Sequence, residues 1–276
     1  MTFSAIRLAT VLFVVLGLPG ALAANAPAVN KERRPLPQAE ESRFWLNAKK
    51  EVYKSVLELF AQHQDELNRG IRFHKLIKGD PSKKQVAITF DDGPHPTYTP
   101  KLLAILDAFD AKATFFLVGE KAEKYPQLVR MIMSGGNSIG NHTYHHVNLT
   151  KIPIEDVATE IKACGKVLQS ITGQAPHLFR PPGGDYDRNV IQAATALGYI
   201  TVLWTDNPGD YTSPGVKTIE SRILDSIDNG SIILLHDGIR QTIDVLPQIL
   251  RYLKSKGYEL VTIDQMLECH KVSRRQ

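Results

Sequence analysis

From residue 85 onward, short apolar runs rich in β-branched residues alternate with longer stretches of helical periodicity, and this alternation constrains the fold more than any other feature. Strand candidates are 86–90 (Val-Ala-Ile-Thr-Phe), 113–118, 137–140, 177–180, 200–204, 231–235 and 259–262. Apolar residues recur at helical spacing near 99–109, 121–134, 154–171, 187–197, 216–228 and 240–256, with a short last helix from about 264. Strands separated by helices pair in parallel and lie buried on both faces. Seven of them predict an α/β fold, one incomplete β/α barrel rather than two domains. In such a barrel reactive groups collect where strands end at their C-terminal side.

The chain has that property. Asp91, Asp92 and His95 follow the first strand, and His142 and His146 follow the third. Arg180 ends the fourth, Asp206 and Asp210 follow the fifth, and His236 and Asp237 follow the sixth. Polar groups scattered without function would fall at both ends of the barrel, so convergence on one mouth points to a site.

Asp92, His142 and His146 offer one carboxylate and two imidazoles, a donor set suited to a catalytic Zn²⁺ that keeps one position for water. Histidines four apart meet on one helical turn or reach one point from a tight loop. Asp-Asp-Gly after a strand is also a common turn or cap, so the argument rests on the three residues together. His95 is a further candidate, and His145 is expected to point away. Neighbouring side chains diverge on extended backbone, so Asp92 is expected to ligate while Asp91 faces the water to be activated. Arg180 is expected to hold Asp91 through a bidentate pair. Pro181-Pro182-Gly183-Gly184 is a stiff turn whose bare backbone can approach a ligand closely, or simply a surface turn. His236 closes an apolar strand, where Asp210 is a candidate partner favouring its protonated form. The alternative is a histidine that caps the next helix with Asp237.

Thr89-Phe90-Asp91-Asp92-Gly93-Pro94, His142-Thr143-Tyr144-His145-His146, Arg180-Pro181-Pro182-Gly183, Asp210-Tyr211 and Leu234-Leu235-His236 stand in that order. Over roughly 85–265 the chain thereby resembles the polysaccharide deacetylases, carbohydrate esterase family four, with the NodB-like fold. The resemblance implies a distorted (β/α)7 barrel that hydrolyses N-acetyl groups on N-acetylglucosamine polymers such as peptidoglycan or chitin. It implies Asp91 as general base and Asp92, His142 and His146 as ligands of Zn²⁺, or of Co²⁺ or another divalent metal. His236 becomes the general acid, oriented by Asp210, and Arg180 positions the base. The Gly183 amide, in the turn with Pro182, would bind the oxyanion, while Tyr211 and Leu234 would line the pocket for the acetyl methyl. Two positions depart from the family's usual residues: Gly183 stands where Tyr is common, and Tyr211 where Trp is common. Both bear on substrate preference more than on reaction type. An O-acetyl esterase and a non-catalytic sugar-binding protein are the alternatives on the same fold.

Composition sets outer limits. Thirty-three Lys plus Arg against 29 Asp plus Glu, mixed along the chain, leave a net charge of +4, too small to argue for a nucleic-acid partner. Two cysteines rule out a disulfide-framework scaffold. Cys164 lies on the apolar stripe of its helix. Cys269 is on the last helix, which is not a neighbour of the third in a barrel, so a bridge between them is not the favoured reading.

Residues 1–23 read as a secretory signal: Arg7, an apolar run from Leu8 to Leu18, then Ala21-Leu22-Ala23, with an uncleaved anchor as the alternative. Removal of this segment predicts an exported protein, periplasmic or secreted, without stable membrane insertion, acting on polysaccharide as a monomer. Residues 24–80 read as a proline-bearing linker to about 37 and an amphipathic helix through Trp45, Ala48, Val52, Val56, Leu59, Phe60 and Leu67, stopped by Gly70. This N-terminal helical extension either packs outside the barrel or acts as a lid or partner-binding arm. The catalytic domain is expected over 81–276.

Overall fold

The computed structural model describes residues 53–273, and side chains as far as residue 268. The expected signal segment, the linker and the helix positions Trp45, Ala48 and Val52 lie outside the described residues, as does the side chain of Cys269.

Among the described residues the strands are β1 (Lys75–Leu76), β2 (Gln85–Gly93), β3 (Thr114–Leu117), β4 (Ser138–Asn141), β5 (Leu178–Phe179), β6 (Ile200–Val202), β7 (Ser231–His236) and β8 (Glu259–Leu260). All pair in parallel, in the order β1-β6-β5-β4-β3-β2-β7, with β8 on the start of β2. The helices are α1 (Val56–Asn68), α2 (Thr99–Ala108), α3 (Gly119–Lys124), α4 (Pro126–Ser134), α5 (Ile154–Thr172), α6 (Arg188–Ala196), α7 (Val216–Ser226), α8 (Arg240–Ser255) and α9 (Ile263–Ser273).

The two-residue period of the strands sorts side chains into two cores. Ala87, Ile232, Leu234, Phe116 and Trp204 pack inside the curled sheet, whereas Val86, Ile88, Phe90, Ile233 and Leu235 face the helices. Thr89 and Asp91 continue the inward row of β2, in register with Leu234 and His236 of β7. The alternation that builds the core therefore brings Asp91 and His236 side by side to the mouth. Beyond β6 the chain crosses to β7: Thr205 N donates to the Ile232 carbonyl at 3.0 Å and Leu234 N to the Asp206 carbonyl at 2.8 Å. This crossing closes the barrel at the end that carries Asp91 and His236, and elsewhere, among the described residues, β1 and β7 are the edges of an incomplete (β/α)7 barrel.

Several expectations are corrected. The helix expected over 121–134 is two helices, because Pro126 has no N–H and holds Tyr125 at φ −127°, ψ 54°. β1 was not expected, since two residues are too few to show a period. Phe60 is 41% exposed rather than part of the buried stripe. Val56 and Leu59 pack inward as expected, and the line continues through Gln62, His63 and Glu66. Glu66 pairs with buried Lys75, which also meets the Tyr186 hydroxyl, and Gln62 Nε2 donates to the Tyr186 carbonyl at 3.1 Å. A polar clamp thus holds α1 against the same interior core that contains Leu59 and Leu76. Cys164 is a buried free thiol.

Candidate active site

The end of β2 departs from extended backbone. Register shifts between Phe90 and Gly93, and Asp92 sits at φ 70° in the left-handed region. Asp91 and Asp92 therefore do not diverge as alternation predicts. Asp91 Oδ2 and Asp92 Oδ1 lie 3.6 and 3.4 Å from the same atom, His142 Nε2. Asp is among the non-glycine residues that tolerate this conformation best.

His142 and His146 come from a tight loop after β4, not from a helical turn. Thr143 (φ 64°) and His146 (φ 54°) are also left-handed, each at a cost of order 1–3 kcal/mol that the surroundings must overcome. They do so with hydrogen bonds. Asn141 Oδ1 accepts from Thr143 N at 2.9 Å, and the first amides of α3, Gly119 and Glu120, donate to the carbonyls of Thr143 and Tyr144 at 2.9 and 3.0 Å. A Cβ on Gly119 would lie 2.6 Å from Tyr144 Cδ2, so only glycine lets α3 approach. His145 turns away to Glu160, its Nδ1 2.7 Å from Oε1.

The donor atoms of Asp92, His142 and His146 all fall within 4.8 Å of one another, with His146 Nε2 2.9 Å from Asp92 Oδ1. Ligands about 2.0–2.1 Å from a tetrahedral Zn²⁺ would stand about 3.4 Å apart, so the cluster has the size of a metal site. Asp92 Oδ1 and His142 Nε2 are buried without a hydrogen-bond partner, as ligand atoms facing a cation would be. His142 Nδ1 donates to the Arg180 carbonyl at 2.7 Å, which leaves the lone pair on Nε2 facing the cluster. Burial alone would raise the Asp92 pKa, but His146 and His142 hold it well below the usual carboxylate range.

Arg180 is fully buried under Phe116, whose ring centroid lies 4.1 Å from the guanidinium carbon. Its pair with Asp91 is a single contact, Nη1 to Oδ1 at 2.7 Å, not the bidentate one expected. Three further bonds go to Thr89 Oγ1 and the carbonyls of Val202 and Leu203 at 2.7–3.2 Å, so the guanidinium is tied both to β2 and to the end of β6.

Across the mouth, Asp210 Oδ1 lies 2.8 Å from His236 Nδ1, while Oδ2 accepts from His236 N at 2.8 Å and from the Thr242 hydroxyl at 2.6 Å. Burial by itself would lower the imidazole pKa. The charge and hydrogen bond of Asp210, with Asp92 and Asp91 beyond, outweigh it and raise His236 to about 9. His236 Nε2 is buried without a hydrogen-bond partner.

Pro182, Gly183 and Gly184 form a buried 3₁₀ turn. At Gly184 (φ 67°) a Cβ would lie 2.4 Å from the Trp204 ring, so the turn rests directly on that indole. Leu234 is buried two residues before His236 on the same inward row. His95 is not brought into the Asp92, His142 and His146 cluster: its Nδ1 accepts from Thr97 N and Tyr98 N at 3.1 and 3.3 Å ahead of α2. Asp206 also stands apart, its carboxylate among Thr205, Ser226 and Ser231. Sequence reasoning missed Tyr53, whose ring stacks on Tyr211 with centroids 4.0 Å apart, and Thr242 on Asp210. Neither carries a local pattern that would single it out.

The family described as polysaccharide deacetylase matches residues 78–202. A peptidoglycan-N-acetylglucosamine deacetylase of Bacillus cereus is 40% identical over 191 residues, covering 67% of this chain and 89% of that protein. The chain belongs to the polysaccharide deacetylase family. A solved peptidoglycan N-acetylglucosamine deacetylase superposes with a TM-score of 0.69 at 35% identity, over 73% of this family member and 95% of that chain. A pseudoenzyme of the CE4 family from Bacillus anthracis superposes nearly as well, with a TM-score of 0.68 at 27% identity, over 72% of this chain and 70% of its own. Fold alone therefore does not separate an active deacetylase from an inactive one, and the site residues must.

Proposed function

We propose that this family member is a metal-dependent hydrolase that removes N-acetyl groups from N-acetylglucosamine-containing polysaccharide of the peptidoglycan or chitin-like type. The observation that carries the reading is the shared atom His142 Nε2, faced by a metal-ligating carboxylate and by a second carboxylate pinned to a buried arginine.

Asp92, His142 and His146 would hold the cation, and Zn²⁺ or Co²⁺ suits one carboxylate with two imidazoles. When bound, the cation supplies Lewis acidity, polarising the acetyl carbonyl and acidifying the attacking water. Asp91, held in place by Arg180, would take the proton from that water. The backbone N–H of Gly183 donates to the developing oxyanion, a contact of a kind typically worth about 3 kcal/mol of barrier. Asp210 keeps His236 protonated and directs its Nε2 proton to the departing sugar amine. Leu234 and Tyr211 bound the space for the acetyl methyl. A non-catalytic sugar-binding role is disfavoured because base, acid and all three ligand positions are filled.

The polymers concerned lie outside the cytoplasmic membrane. That setting and the apolar run from Leu8 to Leu18 support export to the periplasm or beyond. Among the described residues no helix is long and apolar enough to cross a membrane.

The test is mass spectrometry of chitooligosaccharide and peptidoglycan digests, with acetylated xylan as the O-acetyl comparison. Loss of one acetyl per modified amino sugar, abolished by chelator and restored by Zn²⁺ or Co²⁺, is the expected result. Full turnover in excess chelator, or release from acetylated xylan alone, would overturn the reading.

A further inference from the structure

The two residues ahead of the α1 cap reach into the barrel mouth. Lys54 N donates to the Gly183 carbonyl at 2.8 Å, and the Lys54 ammonium lies 3.7 Å from Asp185. The chain is thereby docked on the Pro182–Gly184 turn, and the Tyr53 ring is set over Tyr211 with the planes 24° apart. Both phenol rings meet the His236 imidazole nearly at right angles, Tyr53 at 5.0 Å and 84°, Tyr211 at 5.3 Å and 76°. Two rings far apart in the sequence thus wall in the imidazole, which is only 1% exposed.

This placement is built. Ser55 and Glu58 form a capping box that starts α1 directly after Lys54, with Ser55 N donating to Glu58 Oε2 at 2.7 Å. At the other end of the helix, Glu66, Lys75 and Tyr186 lock it to the barrel through nearly buried groups. A helix fixed at both ends leaves the residue before its cap little freedom. Tyr53 is half-buried, packed at the border of the interior core rather than enclosed within it.

We propose that Tyr53 is a substrate-contacting residue that, with Tyr211, forms an aromatic wall beside His236 for the apolar face of an N-acetylhexosamine. The N-terminal extension is then a component of the active site that tunes which sugars fit. The inference rests on the deacetylase reading above. Its chemistry is stacking: a flat ring buries C–H groups of a pyranose and fixes the acetamido group at one distance from the acid.

The experiment compares full-length wild type, Tyr53→Ala, Tyr53→Phe and Leu57→Ala on tetra-N-acetylchitotetraose, with metal content and melting temperature measured for each. The expected result for Tyr53→Ala is a KM raised about tenfold with kcat little changed, the size that losing one aromatic contact implies. Tyr53→Phe recovers most of that loss. Leu57, 82% exposed on α1, is the control, and Leu57→Ala keeps wild-type constants. A purely structural role would lower the melting temperature and kcat and leave KM alone, which overturns the proposal. Improved kcat/KM in Tyr53→Ala also overturns it, because the ring would then cover the site rather than line it. If wild type releases no acetate, the deacetylase reading fails and this inference with it. Active wild type with an unchanged Tyr53→Ala sinks the inference alone.

Discussion

Asp210 holds His236 at two points, one carboxylate oxygen on the ring Nδ1 and the other on the backbone N–H, each at 2.8 Å. The main-chain contact fixes the carboxylate where its other oxygen meets the ring, and the same carboxylate stabilises the imidazolium charge. With the His236 pKa raised to about 9 from an ordinary 6.5, the imidazole stays protonated through neutral pH, as the proposed general acid must. Activity is expected to fall on an alkaline limb near that value. Asp210→Asn removes the charge, so the limb moves toward neutrality, and the rate at pH 8 drops by about 10²-fold, the lower range for a lost general acid. The sign for stability is the same: the pair's contribution is fully present below about 6.5 and is lost as pH rises through about 9. A pH–rate profile and a pH series of urea melts check both, and an unmoved alkaline limb in Asp210→Asn would refute the assignment.

Asp91→Asn separates the base from the metal site. The variant keeps the Arg180 contact geometry and all three ligand atoms, so bound metal is expected to stay stoichiometric. Acetate release is expected to fall by about 10²–10⁴-fold, the typical contribution of a positioned base. Atomic absorption alongside an acetate assay decides it, and wild-type turnover would remove Asp91 from the mechanism.

Arg180→Met tests the buried pair. Asp91 would lose its cation, and the carbonyls of Val202 and Leu203 would lose donors. Breaking one side of a buried ion pair typically costs about 3–5 kcal/mol. Equilibrium urea unfolding should show a loss of that order, together with a fall in kcat as Asp91 loses the contact that orients it.

Metal removal should also be visible in stability. Two buried donor atoms, Asp92 Oδ1 and His142 Nε2, lack hydrogen bonds, and three left-handed non-glycine residues surround them. A cation bound only by the native state at a hundred times its Kd adds about 2.7 kcal/mol. Differential scanning calorimetry is expected to show a lower Tm with chelator, recovered on adding Zn²⁺, and no chelator effect in His142→Ala.

Gly184→Ala probes the turn without touching a reacting group. The added methyl would meet the Trp204 ring at 2.4 Å and sit at φ 67°. Overpacking of this kind typically costs about 1–3 kcal/mol. The displaced turn also moves the Gly183 amide, so kcat should fall with KM little altered, measured on the same oligosaccharide.

The helices and strands were legible because binary pattern and period are local properties. The ring of reactive residues was legible because a parallel barrel exposes one end of every strand. Other features needed contacts. Pro126 marked a break that periodicity alone smoothed over, and β1 was too short to have a pattern. The convergence of Asp91 and Asp92 was hidden because alternation assumes extended backbone, and Asp92 leaves it. The single-point grip of Arg180 on Asp91 follows from the carbonyls that claim its other donors, which no motif records. Tyr53 was invisible because its role comes from where α1 docks.

The sequence by itself determined the α/β alternation, the residues that gather at the barrel mouth and the three donors suited to a divalent cation. These depend on which residues follow which strand. Tertiary structure decided how those residues are aimed. Backbone dihedrals at Asp92, Thr143 and His146, the amides of α3, and the placing of Tyr53 edge-on to His236 are set by packing between segments far apart in the chain. Such packing energies are non-local, and no window of sequence contains them.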